Sequence, residues 1–154
     1  MVSRQHPRMG QDRRMKALLS IRMGEIMPSQ HINPDTLSRS RGYSQVVKVG
    51  NTVYIAGQVS AGADGNVVGK GDPEAQVRQV WRNIEAAIKT ADGTLQNVVK
   101  TTTYVTNIQY AAAVRKVREE LFQALNPPTS TLLVVAGLAS PDYMVEIEAI
   151  AVVD

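Results

Sequence analysis

From residue 42 onward, the spacing of the apolar residues alternates between the two-residue repeat of a strand and the 3.6-residue repeat of a helix. The predicted order is a hairpin over residues 42–59, a glycine-rich loop with at most a short strand at Val67 and Val68, a helix, a strand, a second helix and two strands. Each helix lies between strands and is apolar on one side only. The sequence therefore predicts a single two-layer α+β domain, in which one mixed sheet carries both helices on the same face.

The hairpin is predicted to turn at Gly50 and Asn51, which accept the positive φ angles of a tight two-residue turn. Strict alternation after the turn would place Val53, Ile55 and Gly57 on one sheet face, and Tyr54 and Ala56 on the other. Further strands are predicted over residues 98–108, 131–135 and 144–152, the first of which is rich in β-branched residues.

The two helices have recognisable ends. Asp72 can cap the free amide groups at the start of the first helix, and Pro73 suits the first helical position. Gly93 is predicted to end this helix in the C-cap position. The second helix is predicted over residues 110–125, where Pro127 and Pro128 stop it.

Two helices on one face leave the opposite face of the sheet uncovered by the chain itself. Val, Ile and Leu alternate along the predicted strands, so this face is expected to be partly apolar. A large exposed apolar surface is usually covered by a partner. We therefore expect other subunits of the same chain to cover it.

The composition excludes several classes of site. The chain has no cysteine, which removes disulfides, thiolate nucleophiles and cysteine zinc sites, and fits a reducing compartment such as the cytoplasm. Its two histidines, His6 and His31, are too few for a multi-histidine metal centre. The loop GADGNVVGKGD has many glycines but not the spacing of a phosphate-binding motif. No apolar run approaches the ~18 residues that a membrane-spanning helix needs.

The positive charge of the chain is concentrated at its start. Residues 1–30 hold six of the 17 basic residues and two of the 14 acidic ones. The remainder therefore has 11 basic and 12 acidic residues. Residues 1–30 are therefore predicted to be a basic, disordered extension, and residues 31–154 a domain unlikely by charge to bind nucleic acid. A targeting presequence, or a natural start at Met15, Met23 or Met27, stays open for the extension.

The run VEIEAIA near the C-terminus places two carboxylates in a strand. Glu146 and Glu148 share one face by alternation, opposite Val145, Ile147 and Ala149. Spacing alone is typical of a strand with one solvated face. Whether either carboxylate is instead a catalytic acid or base is left open by the spacing.

Four blocks of the chain together resemble one family. They are GYSQVVKVGNTVYIAGQV, DPEAQVRQVWRNIEAAI, VVKTTTYVTNI and the ending PPTSTLLVVAGL with VEIEAIA. In this order they resemble the Rid (YjgF-type) family of small enamine and imine deaminases, over roughly residues 31–154. The resemblance implies a homotrimer of chorismate-mutase-like subunits, with small-molecule clefts between neighbours and without metal or cofactor.

The resemblance also implies site residues. Tyr43 matches a substrate-contacting tyrosine contributed by a neighbouring chain, and Gly57 matches a backbone contact. Glu146 matches a glutamate that orders or activates water, which makes it the candidate catalytic acid or base, whereas Glu148 is interpreted as structural. Ser130 stands where the deaminases carry a carboxylate-binding arginine, and a neutral hydroxyl cannot replace a bidentate guanidinium. Ser130 and Thr131 are therefore predicted to orient a less anionic substrate, unless another arginine, such as Arg39 or Arg41, supplies the charge.

The resemblance implies hydrolysis of a reactive enamine or imine to a carbonyl compound and ammonia, with a substrate different from that of the arginine-bearing members. A non-catalytic, ligand-binding or stress-protective trimer is the alternative. RNA cleavage or translational inhibition, associated with some relatives, is a third hypothesis that the near-neutral domain makes weaker.

Overall fold

The structure is a computed structural model that describes residues 27–154. Within this part of the chain it contains one six-stranded sheet, two α-helices and two short 3-10 turns. In chain order, the strands and helices are β1 (Ser29–Ile32), β2 (Val46–Val49), β3 (Thr52–Val59), α1 (Pro73–Lys89), β4 (Val98–Val105), α2 (Ala111–Leu121), β5 (Thr129–Val134) and β6 (Val145–Val152). Of the predicted extension over residues 1–30, residues 1–26 lie outside the described part of the chain.

The strand order in the sheet is β1-β2-β3-β6-β4-β5. All neighbours pair antiparallel except β4 and β5, which are parallel because α2 carries the chain back across the sheet. Both helices pack on one face, where Val80, Ile84 and Val117 are fully buried against inward residues of the strands. The predicted two-layer arrangement with a mixed sheet is confirmed.

Helix α1 begins as its sequence predicts and ends differently. The Asp72 side chain accepts a hydrogen bond from the amide of Ala75 at 3.0 Å, and Pro73 is the first helical residue. The helix ends at Lys89, and the left-handed conformation falls on Asp92 with φ 64°, so the predicted C-cap role of Gly93 is wrong. A Cβ on Gly93 would meet Ile88 and Val153 at 2.7 and 2.8 Å, so close packing is what requires glycine there.

Other boundaries also differ from those predicted. Strand β1 was not predicted, because its four residues SQHI are mostly exposed and carry no apolar alternation. It starts at Ser29, two residues before the predicted start of the domain at residue 31. Val67 forms only an isolated bridge with Ala61. The strand expected over residues 98–108 ends at Val105, and α2 is shorter than residues 110–125 because 3-10 and turn residues flank it. The hairpin turns at the predicted residues, with positive φ at Gly50 only.

A bulge in β3 changes the face on which Gly57 lies. The register of β3 against β6 shifts between Ile55 and Gln58, and Gln58 is 4% exposed on the helix side. Gln58 is held there by hydrogen bonds to Gln45 Oε1 at 2.8 Å and to the carbonyl of Ala56 at 3.0 Å. Gly57 therefore faces away from the core, and the prediction that it shares a face with Ile55 is wrong.

Over residues 27–154, no helix is both long enough and apolar enough to cross a membrane.

Candidate functional site

The sheet face opposite the helices, called the open face, carries cross-strand rows of side chains. The rows are Leu133, Tyr104 and Glu146; Thr131, Thr102 and Glu148; and Thr129, Lys100, Ile150 and Tyr54. Tyr54, Leu133 and Val152 remain 49%, 43% and 41% exposed on this face. A groove of about 280 Å³ lies there, and its lining includes Tyr54, Lys100 and Glu148.

Glu146 is a half-buried carboxylate on the open face, between two strands. It pairs with Val59 of β3 on one side and with Tyr104 of β4 on the other. Burial, and to a smaller extent the charge of Glu148, raise the pKa of the Glu146 carboxyl above its usual value. Within residues 27–154, the structure records no hydrogen bond to this carboxylate. It is therefore free to bind a water molecule or a ligand group.

Gly57 lies directly beneath the Glu146 carboxylate. A Cβ built on Gly57 would overlap Glu146 Oε1 and approach Cδ to 2.8 Å. The close approach depends on the β3 bulge, which turns the Gly57 backbone toward the open face. The structure thus brings together Gly57 and Glu146, two residues that the family resemblance implies for one site.

Tyr43 lies toward the same end of the sheet. The carbonyl of Gln45, two residues after Tyr43, accepts a hydrogen bond from the amide of Ala56, the residue before Gly57, at 2.9 Å. Tyr43 is 54% exposed. Burial, and then the neighbouring Tyr43, raise the pKa of Tyr143, which precedes β6 by two residues. Tyr43 is therefore near the start of β6 and available to a ligand or to another chain.

Ser130 and Thr131 lie on opposite faces of the sheet. Ser130 pairs with Thr101, which is 1% exposed toward the helices, whereas Thr131 pairs with Thr102 on the open face. The Ser130 hydroxyl accepts a hydrogen bond from Arg118 Nη1 of α2 at 2.8 Å. Within one subunit, Thr131 shares the open face with Glu146, but Ser130 does not.

The sequence analysis missed Tyr104 as a candidate site residue. Tyr104 is opposite Glu146 in the register of β4 and β6. The pKa of the Tyr104 phenol is raised above its usual value, first by burial. The charge of Glu148, a hydrogen bond with Glu148 and the charge of Glu146 add to this increase. The phenol therefore holds its proton at neutral pH and can donate a hydrogen bond beside the carboxylate. Alternation within KTTTYV predicts the sheet face on which Tyr104 lies, but only the tertiary structure shows that β4 is next to β6.

Buried amides hold the chain on both sides of Glu146. Gln76 of α1, fully buried, donates to the carbonyl of Asp142 at 2.8 Å and accepts from the amide of Met144 at 2.9 Å. Asn83 donates to the carbonyls of Val59 and Ala61 at 3.0 and 2.9 Å. These bonds connect the helix layer to the start of β6 and the end of β3.

The open-face cluster has the components of a site for water-dependent chemistry. A carboxylate with a raised pKa is a stronger base than an exposed one and can accept and return a proton, and a neighbouring phenol can donate a hydrogen bond. Over residues 27–154, no group of three or more histidine, aspartate or glutamate side chains is arranged to hold a metal ion.

Comparisons with known proteins point to one family. Residues 34–153 match the family model described as endoribonuclease L-PSP. A RutC family protein of Pyrococcus abyssi is 34% identical over 109 residues, which cover 71% of this chain and 84% of the relative. A protein of Dermatophagoides farinae named 2-iminobutanoate/2-iminopropanoate deaminase is 32% identical over 114 residues, covering 73% of this chain and 86% of the relative.

Solved structures agree as well. The crystal structure of the Rid-family protein YyfA from Yersinia pestis, described as being of unknown function, superposes with a TM-score of 0.77 and 32% identity. The match covers 82% of this chain and all of that one. The chain therefore belongs to the Rid (YjgF-type) family, the family whose model is described as endoribonuclease L-PSP.

Proposed function

We propose that this protein hydrolyses a reactive enamine or imine to a carbonyl compound and ammonia. The observation that carries the proposal is the half-buried Glu146 carboxylate, which has a raised pKa and lies against the Gly57 backbone on the open face. The relative named 2-iminobutanoate/2-iminopropanoate deaminase supports a C=N substrate. The serine at position 130 favours a substrate different from that of the arginine-bearing members.

Glu146 would move protons between oxygen and nitrogen. The carboxylate accepts a proton from water as the oxygen attacks the imine carbon, and the imine nitrogen takes up that proton to give a carbinolamine. The carbinolamine hydroxyl then loses its proton through Glu146 to the nitrogen, the C–N bond breaks, and ammonia leaves. An enamine first takes a proton at its β-carbon and loses one from its nitrogen, which gives the imine.

The proposed functional unit is a homotrimer with sites between subunits, in the cytoplasm and without metal or cofactor. Exposed Tyr54, Leu133 and Val152 on the open face support burial by another copy. In this arrangement Tyr43 of one subunit would complete the site formed by Gly57 and Glu146 of its neighbour.

The test is ammonia release from imines generated in situ. Glu146→Gln keeps the size of the side chain but removes its basicity, and we expect at least a hundredfold loss of rate. Glu85→Gln is the control, because Glu85 is on α1, on the other side of the sheet, and its recorded ion pair is with Lys89. Equal rates for Glu146→Gln and the wild type would remove the assigned role.

A non-catalytic, ligand-binding or stress-protective trimer is the alternative, favoured by the neutral residue at position 130. Thermal stabilisation by a ligand, without turnover over a broad imine panel, would select it. The description of the family model keeps RNA cleavage as a third candidate. RNA binding with a steep salt dependence that survives deletion of residues 1–26 would support that activity.

A further inference from the structure

One cation lies at the sheet edge on the helix side, apart from the open-face cluster. Arg118, in the last turn of α2, donates to Ser130 Oγ at 2.8 Å and is half-buried, whereas its neighbours on the helix, Arg115 and Lys116, are exposed. Ser130 is near the start of the edge strand β5. The contact fixes the guanidinium over the turn between α2 and β5.

Arg118 differs from the other hydrogen-bonded cations of the helix layer in its partner. Arg78 pairs with Glu74 and Glu120 at 2.7 Å, and Lys116 pairs with Glu74 at 2.8 Å. Across residues 27–154, no carboxylate is recorded within 4.0 Å of the Arg118 guanidinium. One of its five N–H donors goes to a neutral hydroxyl, so its charge is available to an external anion.

The Ser130 hydroxyl adds a second donor. Its oxygen accepts from Arg118, which leaves the O–H proton free to donate outward. The amide of Val135 donates to Val105 on the neighbouring strand at 2.9 Å, and strand alternation then directs the amide of Ser130 to the outer edge of the sheet. Guanidinium, hydroxyl and amide donors are thus grouped at one point.

These donors border a cavity of about 500 Å³. Phe122, Pro127 and Pro128 form its apolar wall, and the two prolines have no N–H of their own. Glu119 also lines the cavity, and its negative charge opposes a second carboxylate on a ligand. The cavity therefore suits a small organic ion with one carboxylate and a short apolar part.

We propose that Arg118 and Ser130 form a binding site for small monocarboxylates, with Arg118 supplying the charge that position 130 lacks. That such a ligand is the carboxylate end of the imine substrate rests on the proposed function. Ser130 and Glu146 are on opposite faces of one subunit's sheet. One substrate can therefore contact both residues only if Ser130 belongs to one subunit and Glu146 to its neighbour. Of the two arginines that the sequence offered for this charge, Arg39 and Arg41, Arg39 lines a separate cavity formed by loop residues around Asn33.

The experiment titrates the full chain with 2-oxobutanoate, the product expected from 2-iminobutanoate, and with neutral 2-butanone, following ¹H–¹⁵N spectra. Arg118→Gln is expected to weaken 2-oxobutanoate binding by about tenfold or more, because charge-assisted hydrogen bonds are lost. Arg118→Lys keeps the charge and is expected to keep part of the affinity. Arg115→Gln is the matched control on the same helix and is expected to bind like the wild type.

Equal affinity of Arg118→Gln and Arg115→Gln for 2-oxobutanoate, or equal affinity of the wild type for both probes, would overturn the carboxylate site. Ammonia release by the same variants separates this inference from the proposed function. Carboxylate binding that depends on Arg118 without any imine hydrolysis leaves the site and removes the activity. Imine hydrolysis that depends on Glu146 but shows no preference for a carboxylate leaves the activity and removes the Arg118 site.

Discussion

At the level of single residues, the pKa of Glu146 links stability and activity to pH. A carboxyl whose pKa is higher in the folded than in the unfolded chain stabilises the fold at low pH, and that contribution is lost as the pH rises from the ordinary value of 4.5 through the folded value. Glu146→Gln is therefore expected to gain thermal stability relative to the wild type at pH 7 and to lose that gain near pH 4. Melting temperatures of both proteins over this range test the sign.

The activity should follow the same group. If the carboxylate is the working form, kcat/KM for imine hydrolysis rises with pH through an apparent pKa above 4.5. A profile that is flat from pH 4 to pH 7 would exclude Glu146 as the base.

Gly57 makes a second prediction at this scale. In Gly57→Ala, the new methyl group displaces the Glu146 carboxylate, which is the far end of a flexible side chain. We expect a loss of stability of only about 1 kcal/mol, from an altered rotamer, but at least a tenfold loss of activity. Gly137→Ala is the control, because nothing lies within 4 Å of its added Cβ. Wild-type kinetics in Gly57→Ala would contradict the close approach.

At the level of elements, the site depends on how α1 is joined to the strands. Gln76 is fully buried and satisfies the Asp142 carbonyl and the Met144 amide, two residues before Glu146. Gln76→Ala leaves both main-chain groups without their partner, which costs about 1–3 kcal/mol for each buried group. Chemical denaturation measures this loss, with exposed Gln96→Ala as the control. If the two variants are equally stable, Gln76 does not fix the start of β6.

The bulge in β3 marks the limit of prediction for single elements. Alternation assigned Val53, Ile55 and Tyr54 to their correct faces, because these residues precede the bulge. It failed at Gly57, because the extra residue in β3 is specified by the pairing with β6 and by the Gln58–Gln45 hydrogen bond. These contacts are between residues too far apart in the chain for a repeat to reveal.

At the level of the whole molecule, the open face predicts self-association. Tyr54 is 49% exposed at its centre, next to Ile150 in the register of β3 and β6. Tyr54→Lys is expected to convert the proposed trimer to a monomer, because a lysine buried between subunits is costly without a partner. Ile108→Lys is the control, since Ile108 is 62% exposed in the turn before α2. Sedimentation velocity at micromolar concentration distinguishes trimer from monomer, and a monomeric wild type would contradict the prediction.

The sequence by itself determined the layers, the helix faces and the common facing of Glu146 and Glu148, because these depend on local repeats and on capping residues such as Asp72. Only the tertiary structure decided which strands are neighbours. That pairing places Gly57 under Glu146 and Tyr104 beside it, and it decides that Thr131, and not Ser130, shares the open face with Glu146. Arg118 meets Ser130 for the same reason, since the α2–β5 turn folds the helix end back over the edge strand.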